Sequence, residues 1–419
     1  MIAIQNDLTA QTLAPKVKTM FEVSASKIRS IEKTWDPAKG SPVCTVAGKY
    51  ASRGWTEWTQ GFQFGSAILQ FDATGERGFL EIGRERTVSV MAPHLTHTGV
   101  HDHGFNNVST YGNLLRLMNE GRIAENDWER RFYEVALKCS GAVQAGRWSR
   151  TADGGGYIYS FNGPHSLFVD TIRSVRALVV SHRLGHVLMG ENDRRISLLD
   201  RAADHIRATA KYSVYYGEGR DAFDVRGRVA HESIFNVNDG NYRCPNSQQG
   251  YSPFTTWTRG LAWAMCGFAE QLEFFDGVAG STALVEVMEK AARATCDFYI
   301  ENNRPDGIPY WDTGAPGLEP IDSSAAAIGS QGLLRLGKRL KDDRYWKAGL
   351  TVCNALFDDP YLSRDQGHQG LILHSVYHRP NGWNWEPGES SMWGDYHARE
   401  VGLYLLREAQ GGPYLKYWM

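Results

Sequence analysis

Six short clusters of polar and aromatic residues recur along this chain, each opening a segment with helical periodicity. They are "WTQGF" near Trp58, "HDHGF" near Asp102, "FVDT" at Asp170, "WTRGLAW" at Trp257, "DSSAAA" at Asp322 and "WGDYH" at Trp393. Segments such as "RISLLDRAADHIRATAKY", "LAWAMCGFAEQLEFF", "ALVEVMEKAARATCDFYIEN" and "HAREVGLYLLREA" repeat apolar residues at i, i+3, i+4 and i+7, the mark of helices that bury one face. The spacing gives about one cluster per helical hairpin. Six such hairpins close into a ring of inner and outer helices, with the clusters gathered at one mouth, at inner-helix N-termini. Those termini present unpaired N–H groups and positive potential, which favours an anion such as a substrate carboxylate. Strand-like alternation is rare, and "GFLEIG" and "GLILHSVYH" are its best candidates. No Pro/Ser-rich linker interrupts the pattern, so the expectation is one all-α domain over residues 1–419.

Charge narrows the partners. The chain has 45 Lys and Arg against 47 Asp and Glu, so no basic surplus points to nucleic acid or an anionic membrane. No apolar run approaches the ~20 residues needed to cross a bilayer, and the N-terminus does not read as a secretory signal. The six cysteines are scattered without a CxxC pair, which fits free thiols in a reducing, cytoplasmic compartment. Thirteen tryptophans say more, because many stand beside Gly, Asp, Thr or Arg, as in "RGWTEWTQGF", "IPYWDTG" and "NGWNWEPG". Aromatic faces beside hydrogen-bonding groups suit sugar rings; the plainer reading is packing at helix ends.

The stretch "HTGVHDHGFNNVST" holds three histidines around Asp102. His97 and His101 have a metal-ligand spacing only if the segment is helical, and Gly99 and Gly104 argue against that; the expectation is no metal. Asp170 reads either as a helix N-cap or, paired with Asp102, as a general acid. An apolar wall and a second carboxylate would both raise its pKa. Arg259 and Trp263 share a helix face next to Trp257, a setting for a carboxylate on a stacked ring. His231 and Gln249 read equally as loop residues. Asp322 reads as an N-cap and stands outside the catalytic set. No GxSxG, Walker loop or dinucleotide fingerprint is present, and "DGGGY" neither follows a strand nor opens a helix.

"WTQGF", "HDHGF", "VDT", "TWTRGLAWAMCGF", "GIPYWD", "DSSAAAI" and "WGDYH" together resemble the unsaturated glucuronyl hydrolases, glycoside hydrolase family 88. The unsaturated rhamnogalacturonyl hydrolases of family 105 share that fold. The resemblance runs from about Trp55 to the C-terminus. It implies an (α/α)6 barrel and, residue by residue, Asp170 as acid/base and Asp102 as second carboxylate. Trp58, His101, His231, Gln249, Trp257, Arg259 and Trp263 then match substrate-contacting positions. Gln248, where the family often has His, and Gln60, where it tends to Asp, depart from the pattern. A stacking aromatic between Gly112 and Gly156 stays unassigned, with Trp148 a candidate.

The implied reaction acts on the 4,5-unsaturated uronate left at a non-reducing end by polysaccharide lyases. An acid protonates C4, water adds at C5, and the hemiketal collapses with loss of the aglycone. Attack never occurs at the anomeric carbon, so carboxylate separation does not predict stereochemistry here. No cofactor is expected. Two rivals stand beside this reading. One is a polysaccharide lyase on the same toroid, with His231 or a tyrosine as base. The other is a noncatalytic sugar-binding barrel.

Overall fold

The computed structural model describes residues 1–53, 57–317, 319–383 and 386–418. Trp55 and Trp385, two of the tryptophans singled out above, lie outside the described residues. Two concentric sets of helices alternate along the chain. The outer set is α1 (Ala10–Thr34), α3 (Arg77–Val90), α5 (Asp127–Gly146), α7 (Leu198–Tyr212), α9 (Thr282–Glu301) and α11 (Asp343–Leu356). The inner set is α2 (Gln60–Thr74), α4 (103–119, with a π-helical turn at Val108–Gly112), α6 (171–183, interrupted at Val175), α8 (Thr258–Phe275), α10 (Ser323–Leu340) and α12 (Met392–Gln410). This is an (α/α)6 barrel. Each of the six clusters stands at the start of an inner helix, as the spacing predicts.

Burial separates the two rings. Outer helices bury one stripe; on α1 it is Leu13, Val17, Met20, Ser24, Ile28 and Ile31. Inner helices are buried all round, as in α8, where nearly every residue from Thr258 to Phe275 is inside. One apolar cluster runs through the chain from Ile2 to Tyr417. Arg399 of α12 latches the ring shut, donating to Ser24 of α1 at 2.7 Å and to Ser66 of α2 at 3.2 Å. Among the described residues, no helix is long and apolar enough to cross a membrane.

Inner helices approach one another at glycines. A Cβ on Gly104 of α4 would lie 2.0 Å from the backbone oxygen of Ser174 in α6. One on Gly61 of α2 would lie 2.3 Å from the oxygen of Asn106 in α4. Backbone cannot yield as a side-chain tip can, so these positions exclude any larger residue.

Several expectations fail locally. "GFLEIG" lies within α3, where Phe79, Leu80, Gly83 and Thr87 form a helical stripe. "GLILHSVYH" is a loop whose Leu371 and Ile372 amides donate to Asp395 of α12. The strands that do form are short. Ser166–Phe168, Glu232–Phe235 and Tyr242–Asn246 make one antiparallel three-stranded sheet. "DGGGY" joins the hairpin of Trp148–Arg150 and Gly156–Ile158, so it does follow a strand. The helix expected in "SVRALVVSHRLGHVL" stops at Arg183, and Gly185, at φ 76°, turns the chain.

Gly104→Ala should lower the unfolding free energy by about 1–3 kcal/mol through overpacking, measured by urea titration. Gly78→Ala, with nothing within 4 Å of the added Cβ, is the control and should not destabilise.

Candidate active site

A cavity of about 180 Å³ opens where α2, α4, α6 and α8 begin. Its wall carries Trp58, His101, Asp102, Asp170, Trp257, Arg259 and Trp263, joined by Phe161, Gln248, Gln249, Tyr377 and Trp383. Asp102 and Asp170 take the N-cap positions of α4 and α6, yet neither side chain accepts a capping bond from its helix. Both carboxylates instead face His101, whose Nε2 lies 3.0 Å from Asp170 Oδ1 and 3.7 Å from Asp102 Oδ1.

Burial is the largest influence on all three groups, and neighbours decide the outcome. It pushes the Asp102 carboxyl up to about 6, with Asp170 adding to the rise and His101 and Arg147 opposing it. Asp170 is buried too, but the charge and hydrogen bond of His101 outweigh burial and hold it below the usual carboxylate range. The two carboxylates raise His101 against its own burial. The expectation of an elevated Asp170 is therefore corrected: in the free site the raised carboxyl is Asp102, because the imidazole bonds Asp170 more closely.

Burial drives His231 down to about 3, so its ring is neutral. Its Nδ1 accepts from the backbone N–H of Gln248 at 3.0 Å, which leaves the proton on Nε2. Arg259 stacks over Trp257 at 4.6 Å and Trp393 at 4.9 Å. Its guanidinium donates to Asp322 at 3.1 Å, Gln249 at 2.6 Å, the Tyr377 carbonyl at 2.9 Å and the Val376 carbonyl. Trp263 forms the floor, its ring 4.8 Å from Phe105. Trp58 stacks on Trp393 at 5.0 Å and donates to the Tyr377 hydroxyl at 3.3 Å.

No family model matches the chain. An unsaturated glucuronyl hydrolase of Bacillus sp. (strain GL1) is 29% identical over 389 residues, which cover 89% of this chain and 91% of that protein. Its crystal structure superposes with a TM-score of 0.75 at 23% identity, covering 95% of this chain and 97% of that one. The chain is similar to unsaturated glucuronyl hydrolases and to unsaturated chondroitin disaccharide hydrolases. One such hydrolase, specific for heparin, superposes with a TM-score of 0.77 at 18% identity, over 97% of this chain and 100% of that one. An Asp-to-Asn variant of the Streptococcus agalactiae unsaturated glucuronyl hydrolase, complexed with dGlcA-GalNAc6S, superposes with a TM-score of 0.68 at 19% identity, over 97% and 94%.

Of the residues that the resemblance to unsaturated glucuronyl hydrolases singles out, all but His231 line the cavity; His231 is buried behind it, against Phe168 and Trp257. Arg259 is present, but its terminal N–H groups are turned to protein acceptors. Gln248 lines the cavity, whereas Gln60 is bonded to Ser41 and Gln63 inside the wall. Trp148 stands apart under Arg201, 3.7 Å from the guanidinium. Phe161, ring-on-ring with His101 at 6.2 Å, lines the cavity instead. His103 is bonded to Ser140 and to the His97 carbonyl, so the three histidines do not converge. Among the described residues, no group of three or more His, Cys, Asp or Glu is placed to hold a metal. Phe161 and Tyr377 were missed from sequence, where only a position before a cluster could have signalled them; Trp383 belongs to "NGWNWEPG", one of the stretches read as suited to sugar rings.

The raised carboxyl has a stability consequence. Asp102 is ionised in the unfolded chain above its ordinary 3.8 but in the folded state only above about 6. Its burial therefore costs nothing below pH 4, costs stability increasingly between pH 4 and about 6, and costs a constant amount above that. Asp102→Asn should stabilise the fold at pH 7 by on the order of 2 kcal/mol, a gain that vanishes near pH 4 in denaturant titrations.

Proposed function

We propose that the protein releases 4,5-unsaturated uronate from the non-reducing end of lyase-generated oligosaccharides by hydrating the C4=C5 vinyl ether. One observation carries this reading: two carboxylates bridged by a single imidazole on the wall of a tryptophan-lined cavity. The trio holds a proton near neutral pH and keeps a base beside it. Asp170 is the acid/base. A bound uronate brings its own negative charge and expels water, both of which raise a carboxyl pKa. Asp170 then takes the His101 proton across their 3.0 Å bond. It delivers this proton to C4 as the π electrons leave C5, where an oxocarbenium-like centre forms beside the ring oxygen. Asp170, again a carboxylate, accepts a proton from the water that attacks C5. The hemiketal then opens and the glycosidic bond breaks. Asp102 holds His101 in place, and its charge favours the return of the proton from Asp170 to the imidazole when the cycle closes.

A second assignment follows from the raised carboxyl of Asp102, which makes that residue the donor and Asp170 only the base. A lyase fits the site less well, since His231 has Nδ1 committed and its proton on Nε2, leaving no free lone pair for a base. All six cysteines are free thiols, two of them exposed, which supports a reducing, cytoplasmic setting.

Incubation with lyase-generated unsaturated disaccharides should bleach the absorbance of the conjugated uronate. An increase would mean a lyase, and no change a binding protein. With Asp170 as donor, Asp170→Asn should lose roughly 10³-fold or more in kcat and Asp102→Asn less, about 10²-fold; the reverse order assigns the donor to Asp102. kcat/KM should fall as pH rises past the raised value of His101, above the ordinary 6.5 of an imidazole, because the first step consumes that proton; a fall already centred near 6 assigns the donor to Asp102.

A further inference from the structure

We propose that Asp322 is a positioning residue for the cavity: through Arg259 it fixes the side-chain amide of Gln249 with its NH2 group toward the substrate carboxylate. The inference rests on the uronate reading given above. Asp322 is fully buried at the start of α10. Its Oδ1 caps that helix through Ser324 N at 3.0 Å and also accepts from Val376 N at 3.2 Å. Its Oδ2 accepts from Arg259 Nη1 at 3.1 Å. The same Nη1 donates to the Val376 carbonyl, while Nη2 donates to the Tyr377 carbonyl at 2.9 Å and to Gln249 Oε1 at 2.6 Å. Two terminal nitrogens carry four N–H groups, and protein oxygens receive all four. Arg259 therefore has no terminal N–H left for a ligand.

The consequence falls on Gln249. Its oxygen is committed to the guanidinium, so its amide nitrogen is the group it has left for the cavity it lines. An amide locked in this orientation offers N–H and no acceptor, which selects an anion over a hydroxyl donor. Asp322 is needed twice. It neutralises an arginine that is 1% exposed, and through Val376 N it holds the strap whose two carbonyls grip that arginine. A cap alone would need only Oδ1; the second oxygen serves Arg259.

The test measures binding of an unsaturated disaccharide by calorimetry in the Asp170→Asn background, where turnover is blocked. Asp322→Asn should weaken binding roughly ten- to a hundredfold. Gln249→Glu, which keeps a partner for Arg259 but turns an acceptor into the cavity, should weaken it at least as much. The double variant should bind no worse than Gln249→Glu alone. The methyl ester of the same disaccharide, without the anion, should lose less than about threefold on Asp322→Asn. If the parent fails to bind the disaccharide, the proposed function falls. If the parent binds and Asp322→Asn binds equally well, or the two losses multiply, the relay is overturned. Should Asp322→Asn not fold, Arg259→Lys, which keeps the charge and loses the fork, takes its place; undiminished affinity there overturns the relay as well.

Discussion

Arg173 is fully buried near the barrel axis and ties four inner helices together. From α6 its guanidinium donates to both oxygens of Glu270 on α8, each at 3.0 Å, and to Glu400 on α12 at 2.5 Å. It also bonds Gln331 of α10 at 3.3 Å and His397 of α12. Arg176 stands 3.6 Å from Glu270 and 3.8 Å from Glu400, so two cations face two carboxylates. Such a set adds little net stability over an apolar core, because desolvation offsets the attraction. Removing one member is another matter, since it strands a charge in a dry interior. The network therefore acts on register: only one arrangement of these helices satisfies every group. Trp263, the cavity floor, lies 5.9 Å above the Arg173 guanidinium, so the depth of the site is set from below by these charges.

The cavity wall and the layer beneath its floor use histidine in opposite ways. His101 sits between two carboxylates and is raised; His397 is pushed well below its ordinary value by burial first and by Arg173 second. Its Nδ1 bonds the Trp393 carbonyl and its Nε2 receives Arg173, so it is a neutral connector. Both rings are almost completely buried. Burial alone predicts the state of His397 and not that of His101. The sign of the nearest charge predicts both, and it makes one imidazole a proton carrier and the other a strut.

Legibility in the sequence followed the same division. Helical periodicity is a local property, so α7 to α12 and the six cluster positions could be read directly. α1 keeps the period at Leu13, Val17, Met20, Ser24 and Ile28, but no polar and aromatic cluster opens it as one opens each inner helix. The short strands escaped because two to five residues are too few to display an alternation, and Glu232–Phe235 in addition pairs with residues more than sixty positions earlier. In the site, residue types were legible and states were not. Asp102 and Asp170 both stand before a helix, and nothing in either segment says which one His101 faces more closely. Arg259 beside tryptophans read as a free cation; its acceptors at Val376 and Tyr377 lie more than a hundred residues away.

Helix N-termini explain why the chemistry gathers where it does. An N-cap side chain has one local duty, to accept from the first free amides of its own helix. Asp322 and Ser391 perform it, bonding Ser324 N and Gly394 N. Asp102 and Asp170 occupy equivalent positions on α4 and α6 and do not. Their first helical segments are short, His103–Asn107 before the π turn and Thr171–Ser174 before the break at Val175, and in neither does the carboxylate turn back to the free amides. The carboxylates that forgo capping are the ones left free to exchange protons. A ring of six N-termini thus separates two uses of one residue type: where the cap bond forms, the aspartate belongs to the scaffold, and where it does not, the aspartate belongs to the cavity.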